Sequence, residues 1–206
     1  MIPKIIHQLW IGPKTPPTEW MNTWKEKNPD WEYILWDEHS LEQLQIENQS
    51  IVNKILETPY MGKIEYHGIK DVFQYEILYR YGGMFIDADS ICKRPLPDYL
   101  TRFDCFTCYE AEEIRKGYTA LGYVGSSKGF HVFRDIIDEL KSMSNYFPAW
   151  KAVGQLLWTK HCEKNKDIVV LPSTLFIPKH YTNHINGDSS CSIAEQFWGT
   201  TLSGYK

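Results

Sequence analysis

The stretch that most constrains this chain is residues 63–89. Helical spacing runs to Tyr81, and Gly82 suits the left-handed position just past a helix end. Met84-Phe85-Ile86 is short and apolar, as a buried strand requires, and Asp87-Ala88-Asp89 closes it. In open α/β sheets ligands bind beyond the carboxyl ends of the strands, which puts Asp87 and Asp89 where a ligand is expected. In extended backbone, residues two apart point to the same side. Two converging carboxylates repel unless positive charge lies between them. A divalent cation meets that need, and hard oxygen ligands suit Mg²⁺ or Mn²⁺, ions that also bridge to phosphates. A bare pair of acids two apart is more often a solvated turn. Here the helix, the glycine pair and the strand surround it, and the helix carries Asp71 and Gln74 one turn apart on one face.

The rest of the chain reads in the same alternating way. Residues 4–10 form a first strand stopped by Gly12-Pro13, residues 19–27 a helix, and residues 31–36 an aromatic-rich second strand. Ser40 and Gln43 resemble a capping box opening a helix. Residues 105–109 and 119–125 read as strands, 130–143 and 150–162 as helices, and 168–171 as a β-branched strand; the tail after Pro172 is turn-rich. Alternating strands and helices predict an α/β fold with a mostly parallel sheet. No linker interrupts the chain, so residues 1–206 are expected to form a single domain.

Composition narrows the function classes. Lys+Arg is 22 against Asp+Glu 26, a net charge of −4, which disfavours a nucleic-acid binder. No segment reaches the roughly 20 apolar residues of a membrane span. The start has no signal-peptide pattern, and the odd count of Cys 5 fits reduced thiols, so a soluble cytoplasmic protein is expected. Aromatics make up 15%; such rings fill cores but also stack on bases and sugars.

Three ordered motifs carry a resemblance: residues 2–12 (IPKIIHQLWIG), 28–37 (NPDWEYILWD) and 71–89 (DVFQYEILYRYGGMFIDAD). Together they resemble family 32 glycosyltransferases, DXD-containing sugar transferases related to the yeast initiating mannosyltransferase and, more distantly, to glucosylating bacterial toxins. The resemblance implies a GT-A (Rossmann-like) fold, a mostly parallel mixed sheet flanked by helices. It implies transfer of a sugar from a UDP- or GDP-sugar to a glycan or other hydroxyl acceptor, with Mn²⁺ or Mg²⁺ and with retained anomeric configuration. By that likeness Asp87 faces ribose and donor sugar, Asp89 ligates the metal, Ala88 lies between them at the donor, and Asp71 looks towards the sugar hydroxyls. His7, Gln8, Leu9 and Trp10 end the first strand beside the nucleotide base, with Trp36 at the end of the second. Gln74 stands where the family usually carries Arg, offering neutral hydrogen bonds in place of a charged fork.

Residues 194–201 (AEQFWGTT) resemble the family's closing motif. Gln196 takes the place of a His that completes the metal shell, giving Asp87, Asp89 and Gln196 as the expected ligands, and Trp198 closes over the donor. Leu121 and Gln155 replace a usual Asn and Pro in segments near the acceptor. The family's membrane-anchored members begin with a span; here the first strand starts near Met1, which fits a bacterial or viral type of member.

Other signals are weaker. Cys105 and Cys108 have no second pair at zinc spacing, and on a strand they point to opposite sides. His180 and His184 lack the Glu of a metalloprotease helix. Glu110, Glu112 and Glu113 read as a solvated acidic face, although Glu110 follows a strand and so can line the acceptor side. Two other functions compete. An Asp-nucleophile phosphatase would normally begin with the acid-bearing strand, whereas here it comes after residue 80. A sugar- or nucleotide-binding module without catalysis is suggested by Gln74 and Gln196.

Overall fold

In a computed structural model, which describes residues 1–199 and 201, the strands follow the apolar runs. Among the described residues the order is β1 (Ile5–Leu9), α1 (Thr18–Lys27), β2 (Glu32–Trp36), α2 (Glu38–Leu44), α3 (Gln49–Glu57) and α4 (Tyr66–Tyr81). Then come β3 (Gly83–Ile86), β4 (Ser90–Cys92), β5 (Cys105–Cys108), β6 (Tyr123–Ser126), α5 (His131–Ser142), α6 (Ala149–Ala152), α7 (Gln155–Lys164), β7 (Ile168–Leu171) and β8 (Ala194–Gln196).

Six strands form one sheet in the order β2-β1-β3-β6-β5-β7. β1 pairs parallel with β2 and β3, and β5 parallel with β7; β6 runs antiparallel between β3 and β5. The sheet is thus mixed and mostly parallel, as expected. β4 and β8 make a separate antiparallel pair, with β8 inside the tail expected to be turn-rich.

Side-chain alternation splits the core between the two faces of the sheet. On β3, Phe85 joins the cluster built with Val72, Ile77, Phe133 and Trp158, while Met84 and Ile86 join Trp24, Trp31 and Phe176. Cys105 and Cys108 fall in opposite clusters, and both are buried free thiols whose pKa burial pushes well up. No helix among the described residues is long and apolar enough to cross a membrane.

α4 is wrapped on nearly all sides, burying Asp71, Gln74 and Glu76 as well as its apolar residues. Glu76 accepts hydrogen bonds from the backbone N–H groups of Glu47 and Asn48 and pairs with Arg80 at 3.0 Å, so its charge is compensated. Local chemistry shifts some expected boundaries. α2 is capped by Asp37, which exchanges hydrogen bonds with Ser40, rather than opened by Ser40 itself. The helix expected over 150–162 is two, broken at Gly154, where a Cβ would lie 2.5 Å from Asp71 Oδ2. The break lets the backbone pass close to the Asp71 carboxylate.

Candidate active site

A cavity of about 1180 Å³ opens beyond the carboxyl ends of β1 and β3. Of the residues expected at the donor, Leu9, Trp10, Asp71, Asp87, Ala88, Asp89, Gln196 and Trp198 line it. His7, Gln8, Trp36 and Gln74 do not.

Asp87 follows the last residue of β3. Its N–H donates to the Gly122 carbonyl at 2.9 Å, and its carbonyl accepts from Gln8 Nε2 at 3.3 Å and Ser90 Oγ at 2.7 Å. These bonds fix the backbone from which the carboxylate projects. The carboxylate Oδ1 lies 3.0 Å from Lys70 Nζ, and Lys70 also reaches Asp71 Oδ1 at 2.8 Å and Gln74 Oε1 at 3.2 Å. Burial opposes a charge on Lys70, but the two carboxylates outweigh it and hold its pKa above the ordinary lysine value. On the other side of Asp87, a Cβ at Gly122 would sit 2.3 Å from Oδ2, so only glycine leaves room for the carboxylate there. Lys70 was missed in the sequence. The available signal was its place beside Asp71 and one turn before Gln74 on the face that meets the site.

Asp89 sits in the turn between β3 and β4, not on the strand, so the pair does not share a side by strand alternation. Its Oδ1 accepts from Gln196 Nε2 at 2.6 Å and its Oδ2 from the Gly199 N–H at 2.7 Å. The β4–β8 ladder sets this register by placing Ser90 opposite Gln196. Gln196 was expected as a metal ligand. Here its carbonyl oxygen accepts from the Tyr123 hydroxyl at 2.6 Å, and its amide nitrogen faces Asp89. In this arrangement Gln196 orients Asp89.

Among the described residues no group of three His, Cys, Asp or Glu side chains converges on one point to hold a metal. Asp87 and Asp89, which line the same cavity, still fit an ion of the Mg²⁺ or Mn²⁺ type, which binds through one or two carboxylates and takes its other ligands from phosphate and water.

The four residues absent from the cavity lining close hydrogen bonds within the protein. His7 is fully buried; its Nε2–H donates to the Gly82 carbonyl at 2.8 Å, and its Nδ1 accepts from Trp36 Nε1 at 3.2 Å. Burial pushes its pKa down to about 4, so the ring is neutral and can hold both bonds. His7 and Trp36 thereby tie β1 and β2 to the turn that enters β3. Gln8 spans from the Tyr33 hydroxyl to the Asp87 carbonyl and braces the acid from behind. Gln74 donates to the Leu121 carbonyl at 2.7 Å, within the protein.

Trp10 is held at the cavity by a bond from its indole N–H to the Lys14 carbonyl. Trp198 adopts a left-handed backbone (φ 56°), strained for a large side chain, and packs edge-on against His180 and Tyr181.

Glu110 also lines the cavity, but it is buried, not part of a solvated face. Its carboxylate accepts from Arg115 and His180, each at 2.7 Å, and from the Gln155 amide. Glu112 instead caps a turn by accepting from the Ser173 N–H and hydroxyl. His180 and His184 lie in a loop, with His180 spent on Glu110.

Residues 17–107 match the family model described as "Glycosyltransferase sugar-binding region containing DXD motif". The chain is 29% identical over 205 residues to inositol phosphoceramide mannosyltransferase 1 of Schizosaccharomyces pombe, covering 91% of this chain and 62% of that protein. It is 33% identical over 161 residues to mannosyl phosphorylinositol ceramide synthase SUR1 of Saccharomyces cerevisiae, covering 73% of this chain and 37% of that one. It thus spans less than two thirds of either yeast relative. Among solved structures, the PaToxG glycosyltransferase superposes with a TM-score of 0.58 at 16% identity, covering 79% of this chain and 69% of that one. The acid turn, the cavity beyond the strand ends and these matches agree: the chain is similar to the DXD-containing glycosyltransferases and has the GT-A fold.

Proposed function

We propose that this chain transfers a hexosyl unit from a nucleoside-diphosphate sugar to a hydroxyl of a glycan or another acceptor, with Mn²⁺ or Mg²⁺ and with retention of configuration. The observation that carries the reading is that Asp71, Asp87 and Asp89 line one cavity that also presents Trp10 and Trp198. Breaking the sugar–phosphate bond leaves extra negative charge on the diphosphate, and a divalent ion at Asp87 and Asp89 supplies the neutralisation.

The remaining roles belong to the chain. Asp71 accepts from donor-sugar hydroxyls. Asp87, with its backbone fixed by Gln8, Ser90 and Gly122, keeps its carboxylate in place before the donor arrives. Trp10 offers an indole face to the base, a stacking contact of about 1–3 kcal/mol. Trp198 covers the donor and keeps water away from the reacting carbon. Retention rests on likeness to the family. The names of the yeast relatives make mannose the first donor sugar to try and an inositol-bearing lipid the first acceptor. We assign the work to residues 1–206 acting as one catalytic unit in the cytoplasm.

The test is turnover of a panel of UDP- and GDP-sugars with Mn²⁺ by wild type and Asp89→Ala. Wild-type turnover that Asp89→Ala removes supports the reading. Equal turnover in both would remove Asp89 from it. The Gln74 contact to Leu121 and the amide-first orientation of Gln196 favour a second reading, a donor-binding module without transfer. Donor binding by calorimetry with no turnover on any acceptor would select it.

A further inference from the structure

Pro59, Gly62, Lys63 and Ile64, from the loop between α3 and α4, line the cavity together with Trp150 of α6. All but Ile64 are exposed, which places them at its mouth. The two segments are joined. The Tyr60 ring stacks on Phe147 with centroids 5.8 Å apart, and Glu65 Oε2 accepts from the Ala149 N–H at 2.9 Å. The loop is a tight turn: the Lys63 N–H donates to the Tyr60 carbonyl at 3.0 Å, and Met61 (φ 49°) and Gly62 (φ 79°) are both left-handed. Glycine adopts that backbone readily, and methionine pays a steric cost for it. Met61 stands at the tip all the same, 86% exposed, where its side chain adds nothing to the core. Tyr60 and Trp150 are each 38% exposed.

Lysines accompany these apolar groups. Lys54 Nζ lies 5.2 Å from the centroid of the Tyr146 ring and Lys151 Nζ 5.2 Å from that of Trp150, while Lys63 belongs to the turn itself. Across residues 54–63 and 146–151 the charged side chains are Lys54, Lys63, Lys151 and Glu57, a local excess of positive charge in a chain of net charge −4.

We propose that this edge of the cavity is a membrane-docking surface. Met61 enters the interface of an anionic bilayer, Tyr60 and Trp150 lie at the level of the headgroups, and the three lysines meet the lipid phosphates.

The chemistry suits a bilayer better than a second protein. Protein interfaces deplete lysine at their centre. Membrane interfaces favour Tyr and Trp, whose bodies are apolar and whose tips are polar, and lysines whose stems lie along apolar surface while the charge stays in water. Apolar insertion and attraction to anionic headgroups add, so a small apolar tip ringed by lysines is an effective combination. Because Lys63 and Trp150 also line the cavity, a bilayer docked here holds its headgroups at the cavity mouth. If the transferase reading holds, on which this last step rests, a headgroup hydroxyl is the acceptor.

Docking is measured without turnover, by co-sedimentation of the full chain with vesicles of phosphatidylcholine alone or with about 30% phosphatidylserine, which gives the surface a negative potential. The expected result is binding to the anionic vesicles that weakens as salt rises, with far less binding to the neutral ones. Met61→Asp should weaken binding to anionic vesicles about tenfold, through loss of apolar insertion and repulsion from the headgroups. Aspartate accepts a left-handed backbone better than methionine does, so the turn should survive, and an unchanged thermal midpoint separates lost docking from unfolding. Lys54→Gln/Lys151→Gln leaves the turn alone and should remove most of the preference for anionic lipid. No binding by wild type overturns the proposal, as does wild-type binding in folded Met61→Asp or an undiminished lipid preference in the lysine variant. A dimer that forms without vesicles and dissolves in Met61→Asp also overturns it and assigns the face to a second copy. Lost docking with transfer to a soluble acceptor intact removes only the membrane, and docking without transfer removes only the reaction.

Discussion

Asp87 and Asp89 are two residues apart and line one cavity, yet they are held in different ways. Asp87 has a charged partner, Lys70, and a wall of bare glycine at Gly122. Asp89 accepts from a side-chain amide and a backbone N–H supplied by the carboxyl-terminal part of the chain. On the proposed transferase reading, Asp89 is expected to be the ion's main protein anchor, and Asp87, which shares an oxygen with Lys70, is expected to contribute less.

The largest effect should come from breaking the Asp89 side. Asp89→Ala is expected to lower kcat/KM for nucleotide-sugar turnover by about 10³-fold, the upper range for losing one group that stabilises developing charge. Asp87→Asn should cost less than Asp89→Ala. Steady-state kinetics at saturating Mn²⁺ measures both, and a larger loss for Asp87→Asn reverses the assignment.

Gly122→Ala attacks Asp87 without touching its charge. The new Cβ would press on Oδ2 from 2.3 Å and push the carboxylate towards Lys70. A displacement near 1 Å at a positioning group costs about 10²-fold in rate. The expectation is that loss in kcat with Asp89-dependent ion binding unchanged. If both fall together, the two acids act as one unit and the contrast between them fails.

How far the site was legible follows from the same contrast. Asp71, Asp87 and Asp89 were visible because a long helix, a glycine stop and an apolar strand place them by local rules. The mixed sheet followed from alternating elements, although β6 entering antiparallel between β3 and β5 did not. The partners of the acids were harder to read. Gln196 arrives through a pairing of β4 with β8 more than a hundred residues along the chain, and nothing local in a turn-rich tail specifies the register that faces its amide to Asp89. Lys70 stands immediately before the 71–89 motif, but a lysine on a helix reads as solvated until burial of nearly the whole of α4 is known. His7, Gln8 and Trp36 stand at strand ends, where ligands are expected, yet their polar atoms close hydrogen bonds within the protein. The break at Gly154 exists because Asp71 comes close to that backbone, a contact across 83 residues of sequence that periodicity cannot register.

On the Asp89 side, Gln196→Leu strips both neutral bonds of the amide at once. Asp89 Oδ1 and the Tyr123 hydroxyl each lose a hydrogen bond in a buried setting. Such losses cost about 1–3 kcal/mol. Urea unfolding should show that loss as a lower midpoint at unchanged slope, and Mn²⁺ affinity should fall because Asp89 is no longer aimed.

The smallest effect separates aiming from mere packing. Tyr123 is 1% exposed, stacks on Phe176 with ring centroids 5.0 Å apart, and donates its hydroxyl to the carbonyl oxygen of Gln196. Tyr123→Phe keeps the ring and removes only that bond, so the stability cost should be about 0.5–1.5 kcal/mol. The consequence at the site runs the other way from Gln196→Leu. Freed of the hydroxyl, the Gln196 carbonyl can turn towards an arriving ion, so Mn²⁺ affinity should hold or rise slightly while stability falls. Parallel Mn²⁺ titration and urea unfolding of the two variants make the distinction. A drop in Mn²⁺ affinity for Tyr123→Phe matching that of Gln196→Leu would mean that the Tyr123 bond, not the amide contact alone, is what keeps Asp89 aimed.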